Sequence, residues 1–202
     1  MSSIIEGGSL AQTTHHQQPQ LQPKIASTIR LATEADIPAI CHLGASTFTS
    51  TFGYSMPASD LQTYLSEVYT HAAVAADILD PLITTFVATF PASPLSEIRG
   101  FAQMYQGPIE ECVTGPKPVE LKRLYVDAKY QGGGVGGALF QRIESWAKDG
   151  GFATMWLGVW EENLNAQRAY GRFGFKERVG KHDFVMGTCV QTDWIMVKSL
   201  KE

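Results

Sequence analysis

The stretch Val119-Glu120-Leu121-Lys122-Arg123-Leu124-Tyr125-Val126-Asp127, followed by Gln131-Gly132-Gly133-Gly134-Val135-Gly136-Gly137 and a run to Lys148, decides the fold. Its first part is rich in apolar and β-forming residues and reads as a strand from Val119 to Val126. Its last part spaces Val135, Leu139, Ile143 and Trp146 as one helical face, so a helix runs from about Gly134 to Lys148. Glycines occupy the handover between the two. Glycine admits φ > 0 and lets backbone N–H groups crowd around an anion, and the first helical turn adds unpaired N–H groups and the positive end of its dipole. The turn therefore reads as a pyrophosphate seat. The competing reading is a turn that merely joins strand to helix.

Two other phosphate motifs fit less well. Gly132, Gly134 and Gly137 spell GxGxxG, but the dinucleotide fingerprint wants the strand to run straight into the first glycine and an acidic residue about 20 positions on. Here Asp127 to Gln131 intervene, and Phe152 stands 20 positions beyond Gly132. A Walker loop ends in GK[ST], whereas this turn ends in Gly136-Gly137-Ala138.

Upstream, Thr28 to Leu31 form a short strand and Thr33 caps a helix carrying Ile37, Ile40, Cys41 and Leu43 to Phe48. Ser59-Asp60 begin a second helix with Leu61, Tyr64, Leu65 and Val68 on one face, and Asp77 to Leu79 extend a third that Pro81 stops. Leu82 to Phe90 and Ile98 to Tyr105 read as an antiparallel hairpin, and Gln106 to Pro118 as a loop. Downstream come a strand over Thr154 to Val159, a helix over Asn163 to Phe173, and strands over Phe175 to Val179 and Val190 to Lys198. Strand and helix alternate after Val119, so parallel crossover pairing is expected there, within a mixed α/β (α+β) sheet flanked by helices. Residues 1–27 are too poor in large aliphatics to offset the entropy of ordering and read as a disordered tail.

At 202 residues, with 44% apolar and 18% charged residues, the chain suits one globular domain with a real core. A net charge of −4 with scattered basic residues gives no field for nucleic acid and suits small cations better. Cys41, Cys112 and Cys189 form no CxxC pair, and the histidines show no metal spacing, so neither a disulfide framework nor a metal is expected. With no membrane-length apolar run and no signal-peptide pattern, the expectation is a cytoplasmic protein that meets no membrane.

Gln131-x-x-Gly134-x-Gly136, after a strand ending Leu124-Tyr125-Val126-Asp127, resembles the [QR]xxGx[GA] motif of the GNAT acetyltransferases. Asn163-x-x-Ala166-x-x-x-Tyr170-x-x-x-Gly174-Phe175 looks like the second motif of that family. Leu157 to Asn163, His182 to Gly187 and Gln191 to Met196 resemble the PaiA-like polyamine (spermidine/spermine) N-acetyltransferases more narrowly. The resemblance covers about residues 28 to 200, within one domain over residues 28–202, with Pro91 to Glu97 and Gln106 to Pro118 standing out as insertions.

The resemblance implies a GNAT fold with splayed central parallel strands, and acetyl-CoA as cosubstrate without a metal. It implies cofactor contacts from Leu124, Tyr125 and Val126, from Gln131, Gly132, Gly133, Gly134, Val135, Gly136 and Gly137, and from Asn163, Ala166 and Tyr170. A backbone N–H near Tyr125 or Val126 would stabilise the oxyanion. Transfer to an amine needs the neutral amine, only about 0.1% of a group with pKa near 10 at pH 7, so a base must take a proton. Glu120 stands where histone-acetylating members keep theirs; the bland alternative is a solvated strand charge. Tyr170 is expected to protonate the departing coenzyme A thiolate, against an alternative as an ordinary core aromatic. Glu161, Glu162, His182, Asp183 and Asp193 are candidate contacts for the amine, each also readable as a solvated surface charge. The expected partner is a small-molecule amine, with a homodimer left open. Acceptors of the peptide or protein type, another small amine, and a non-catalytic acetyl-CoA sensor are the rival readings.

Overall fold

The computed structural model describes residues 27–89 and 97–201. The expected tail, apart from Ser27, and most of the Pro91 to Glu97 insertion lie outside them. Seven strands form one mixed sheet in the order β1-β2-β3-β4-β5-β7-β6. They are β1 (Thr28–Leu31), β2 (Ile83–Thr89), β3 (Ile98–Tyr105), β4 (Pro118–Val126), β5 (Thr154–Trp160), β6 (Glu177–Met186) and β7 (Cys189–Ser199). The helices are α1 (Ile37–Phe52), α2 (Ala58–Val68), α3 (His71–Leu79), α4 (Val135–Asp149) and α5 (Leu164–Arg172). This is the mixed α/β architecture expected from the sequence.

Alternation along the strands divides the core between two faces. On one face, Met104, Leu121, Met155, Leu157 and Met196 pack with Leu139, Phe140 and Ile143 of α4, and Tyr170 and Phe173 of α5 join them. On the other, Val87 and Phe101 meet Ile37, Ile40 and Leu43 of α1 and Val74 of α3. A capping box at Thr33 and Asp36 starts the turn into α1, and Arg30 grips the buried Asp36 carboxylate at 2.7 and 2.8 Å.

Among the described residues only β4 and β5 pair in parallel, over Pro118↔Thr154, Val119↔Met155 and Glu120↔Trp156. Both strands continue, β4 to Val126 and β5 to Trp160, without a ladder between them. The sheet is split down its centre. In β4 the pairing to β3 shifts between Leu121 and Arg123, so Arg123 and Tyr125 fall on the α1 face together with Glu120.

Two elements differ from the sequence reading. Helix α3 begins at His71, where the Thr70 side chain accepts from Ala73 N at 3.1 Å, well before Asp77. Strand β6 runs on to Met186 rather than stopping at Val179. A bulge between Arg178 and Gly180 and the polar, exposed residues Lys181, His182 and Asp183 conceal its two-residue period. The β6–β7 hairpin turns at Gly187 (φ 61°), and its tip is fastened to α2 by Asp60, which accepts from the Thr188 N–H and hydroxyl at 2.9 and 2.7 Å and from Cys189 N at 3.2 Å.

Candidate functional site

The glycine turn lies at the mouth of the central split. Gly132 and Gly134 have φ of 76° and 90°, the left-handed region that only glycine enters without strain, and Gly134 is the N-cap of α4. A Cβ on Gly132, Gly134 or Gly137 would meet nothing within 4 Å, so the space around this helix start is open. Gly136 is different: it is ordinary helix, with Val126 Cγ2 at 3.5 Å from where its Cβ would be, so its backbone does not require glycine. The Gln131 side-chain amide donates to Val126 O at 3.1 Å and holds the turn against the end of β4. Val135 is buried and anchors the helix, while Gly132, Gly133 and Gly134 are exposed. Open N–H groups at a helix start fit a pyrophosphate. The edges of β4 and β5 that face each other beyond Glu120 and Trp156 offer unladdered backbone to an extended amide chain.

Helix α5 closes the far side of this slot. The Asn163 side chain accepts from Ala166 N at 3.1 Å and caps the helix. Gln167, which sequence reasoning passed over, is buried; its amide donates to Trp160 O at 3.0 Å and Glu161 O at 2.8 Å, locking α5 to the end of β5. Tyr170 packs into the α4 face core and against Phe175 at 5.9 Å between ring centroids. Burial pushes its phenol well above the ordinary tyrosine value, with Tyr125 and the Asp193 carboxylate adding to the effect, so the hydroxyl keeps its proton at neutral pH.

Across the sheet, on the α1 face, Glu120, Tyr125, Gly158, Trp160, His182 and Asp193 share one surface by register. Aromatic rings surround it: Phe48 stacks on Tyr64 at 4.1 Å, Phe52 lies 5.7 Å from Trp160, and Tyr64 meets Phe184 edge-on at 6.0 Å. Tyr69 donates to the Tyr125 hydroxyl at 3.2 Å. Burial raises the Glu120 carboxyl, against the pull of Lys122 and Arg123. Burial also pushes Asp193 up to about 6, with His182 pulling the other way. The loop 106–117 contributes a residue the sequence gave no reason to single out, Glu110, whose carboxylate lies 3.0 Å from His182 Nδ1. Val113 of the same loop is buried against Trp156 and Ile195, which fixes the loop over this face. The only sequence signal for it was an odd apolar pair, Cys112-Val113, inside a polar loop.

The other candidates do not gather there. Alternation turns Asp183 to the opposite face of β6, where it accepts from Thr192 Oγ1 at 3.2 Å. Glu161 is engaged by Lys181 at 2.9 Å, and Glu162 is exposed. Among the described residues no group of His, Cys, Asp or Glu side chains could hold a metal ion, and no helix is long and apolar enough to cross a membrane.

The model of the acetyltransferase (GNAT) family matches residues 55–175. The chain is 27% identical over 167 residues to an uncharacterized N-acetyltransferase of Lactobacillus delbrueckii subsp. lactis, spanning 83% of this chain and 94% of that one. It is 35% identical over 103 residues to one of Mycobacterium tuberculosis, spanning 51% and 61%. Among solved structures it superimposes on a PaiA N-acetyltransferase from Thermoplasma acidophilum in complex with coenzyme A, with a TM-score of 0.68 at 20% identity over 86% of this chain and 99% of that one. It also superimposes on the ribosomal-protein-S18-alanine N-acetyltransferase of Escherichia coli, with a TM-score of 0.62 at 20% identity over 88% and 96%. These two likenesses speak to fold. The family match covers more than half of the chain, including the split, the glycine turn and α5, and the chain belongs to the GNAT family of acetyltransferases as an acyl-transferring enzyme.

Proposed function

We propose that the enzyme transfers the acetyl group of acetyl-CoA to a primary amine of a polyamine such as spermidine or spermine, by direct attack of the amine on the thioester. The observation that carries this is the central split, with the open glycine turn at one end and a carboxylate-bearing aromatic surface on the α1 face. The pyrophosphate is assigned to the turn from Gln131 to Gly137, and the amides of the pantetheine arm to the backbone of Leu124, Tyr125 and Val126. Asn163, Ala166 and Tyr170 complete that side. A backbone N–H near Tyr125 or Val126 is positioned by the same strand to stabilise the oxyanion. The Tyr170 hydroxyl, kept protonated by burial, supplies the proton that the leaving sulfur needs.

A polycation suits the other side. The rings of Tyr64, Phe52 and Trp160 stand on the same side as the carboxylates of Glu120, Asp193 and Glu110, an aromatic and anionic surface that a cation would favour. The Thermoplasma PaiA enzyme shares the fold and holds coenzyme A, which supports the same cosubstrate here. The test is thiol release from acetyl-CoA with a panel of amines from spermidine and spermine to peptides. Turnover with the polyamines is expected; acetylation of a peptide amine with none of either polyamine overturns the substrate assignment.

A further inference from the structure

Resting on the acetyltransferase reading above, we propose that Asp193 is the residue that takes the proton from the attacking amine, opposite Tyr170 across the split. Asp193 stands on β7 between Trp160 of β5 and His182 of β6. Gly158, exposed in the middle of a central strand, leaves the floor beside it open: a Cβ there would sit 3.1 Å from Asp193 Oδ2. The carboxylate is half-buried, and among the described residues it accepts no hydrogen bond and joins no ion pair. The titratable groups that face it are His182 from β6, Tyr170 from α5, Tyr125 from β4 and Tyr64 from α2. A carboxylate surrounded by phenols and one imidazole, with no partner of its own, is available to an incoming ammonium.

Glu120 is the rival base, and geometry separates them. The amine nitrogen and the thioester sulfur bond to the same carbon in the tetrahedral intermediate. The base and the acid must therefore both reach atoms attached to one carbon, each within a hydrogen bond of roughly 3 Å. Asp193 pairs with Trp160 at the open end of β5, whereas Glu120 faces Trp156 where the β4–β5 ladder is still closed, and the charge of Asp193 reaches the Tyr170 hydroxyl. Glu120 belongs to the last β4–β5 pair before the split, and its charged surroundings are Lys122, Arg123, Glu110 and His182. It lies toward the outer end of the amine site, where it and Glu110 meet a distal ammonium. Burial has already raised Asp193 toward the range where a base works at neutral pH.

The protons balance as follows. Of the three on the ammonium, one passes to Asp193 before attack. The nitrogen lone pair then forms the C–N bond while the carbonyl π pair moves to oxygen. When that pair returns, the C–S bond breaks with its electrons on sulfur, and Tyr170 donates its proton there. A second proton leaves the nitrogen to restore Tyr170, the third stays on the amide, and Asp193 releases its proton to water.

The experiment compares parent, Asp193→Asn, Asp193→Glu and Glu120→Gln in pH profiles of kcat/KM, using whichever panel amine the parent acetylates fastest. The parent should show an acidic limb near pH 6. Asp193→Asn should turn over ~100- to 10,000-fold more slowly at pH 7. It should lose that limb, and its rate should climb instead toward the amine's own ionisation near pH 10. Asp193→Glu should regain part of the limb, and Glu120→Gln should keep it while raising KM for the amine. An unchanged unfolding midpoint and acetyl-CoA shift establish that the variants are folded. Asp193→Asn turnover within about threefold of the parent, or a retained limb at any rate, overturns the assignment and leaves the acetyltransferase reading standing. A parent that binds acetyl-CoA yet acetylates no amine overturns both.

Discussion

On the α4–α5 side of the split, the glycine turn, the strands that flank the slot and both helices come from one run of chain, β4 through α5, while β2, β3 and β7 add only to the core beneath them. On the α1 side the surroundings come from α1, α2, the loop 106–117 and strands β4 to β7, held together by long-range contacts such as Asp60 to Thr188 and Glu110 to His182. A side built from consecutive elements keeps its shape whenever those elements pack. A side assembled from separate regions changes with any one of them, which lets the acceptor change while the donor stays. The two sides should therefore fail differently under mutation.

The largest effect is expected at Tyr170. Tyr170→Phe keeps the ring contacts with Phe175 and removes a hydroxyl that makes no hydrogen bond among the described residues, so stability and acetyl-CoA affinity should hold. Steady-state kcat should fall ~100- to 10,000-fold. Turnover within about threefold of the parent would remove Tyr170 from proton transfer and leave it a packing residue.

Gly136→Asp tests the donor side alone. Its Cβ has room, and a carboxylate in the first turn of α4 favours the helix by about 0.3 to 1 kcal/mol. The free variant should melt at or slightly above the parent, while the thermal shift given by acetyl-CoA disappears because the new charge repels the pyrophosphate. A retained shift would break the assignment of the turn.

Salt should act on the acceptor side and spare the donor side. Raising ionic strength screens the half-buried carboxylates of Glu110, Glu120 and Asp193 from an incoming polycation, so the apparent KM for spermine should climb, whereas kcat at saturation should barely move. A flat KM would mean that the amine is held by packing rather than by charge.

The smallest kinetic effect belongs to the β1–α1 corner, remote from both sides. Burial alone would raise the Asp36 carboxyl, but Arg30 and Thr33 hold it below the ordinary carboxylate value. A depressed folded pKa contributes stability above the unfolded value, near pH 4, which is lost as pH falls through the folded value. Asp36→Asn should lower Tm and blunt that acid dependence while leaving kcat and KM within about twofold, scanned by thermal unfolding from pH 3 to 7.

Legibility in the sequence follows the same division. The elements of the α4–α5 side could be read because their signals are local: glycines from Gln131 to Gly137 must turn, and Val135, Leu139, Ile143 and Trp146 must share a helical face. Spacing on β4 could not reveal its shift at Lys122, nor that pairing to β5 stops at Glu120, because both depend on partners distant in sequence. Glu110 and Asp183 show the same limit. One looks like a loop charge and reaches His182, while the other looks like a site residue and is turned away by a single step of alternation. Within the glycine run, Gly132 and Gly134 take positive φ while Gly136 is plain helix, a difference that a count of glycines does not carry.

The unladdered edges of β4 and β5 reverse an ordinary expectation about amide hydrogen exchange. In a continuous sheet the slowest amides lie in the central strands, because releasing them needs the whole domain to open. Here the inward-facing amides beyond Glu120 and Trp156 have no strand to donate to among the described residues, so they should exchange like a surface while their outward-facing neighbours, paired to β3 and β7, should stay slow. Fast and slow amides should alternate along the middle of the molecule. An extended ligand lying in the split would act as the missing strand and level that alternation, so protection gained at every second residue of β4 and β5 would trace its path.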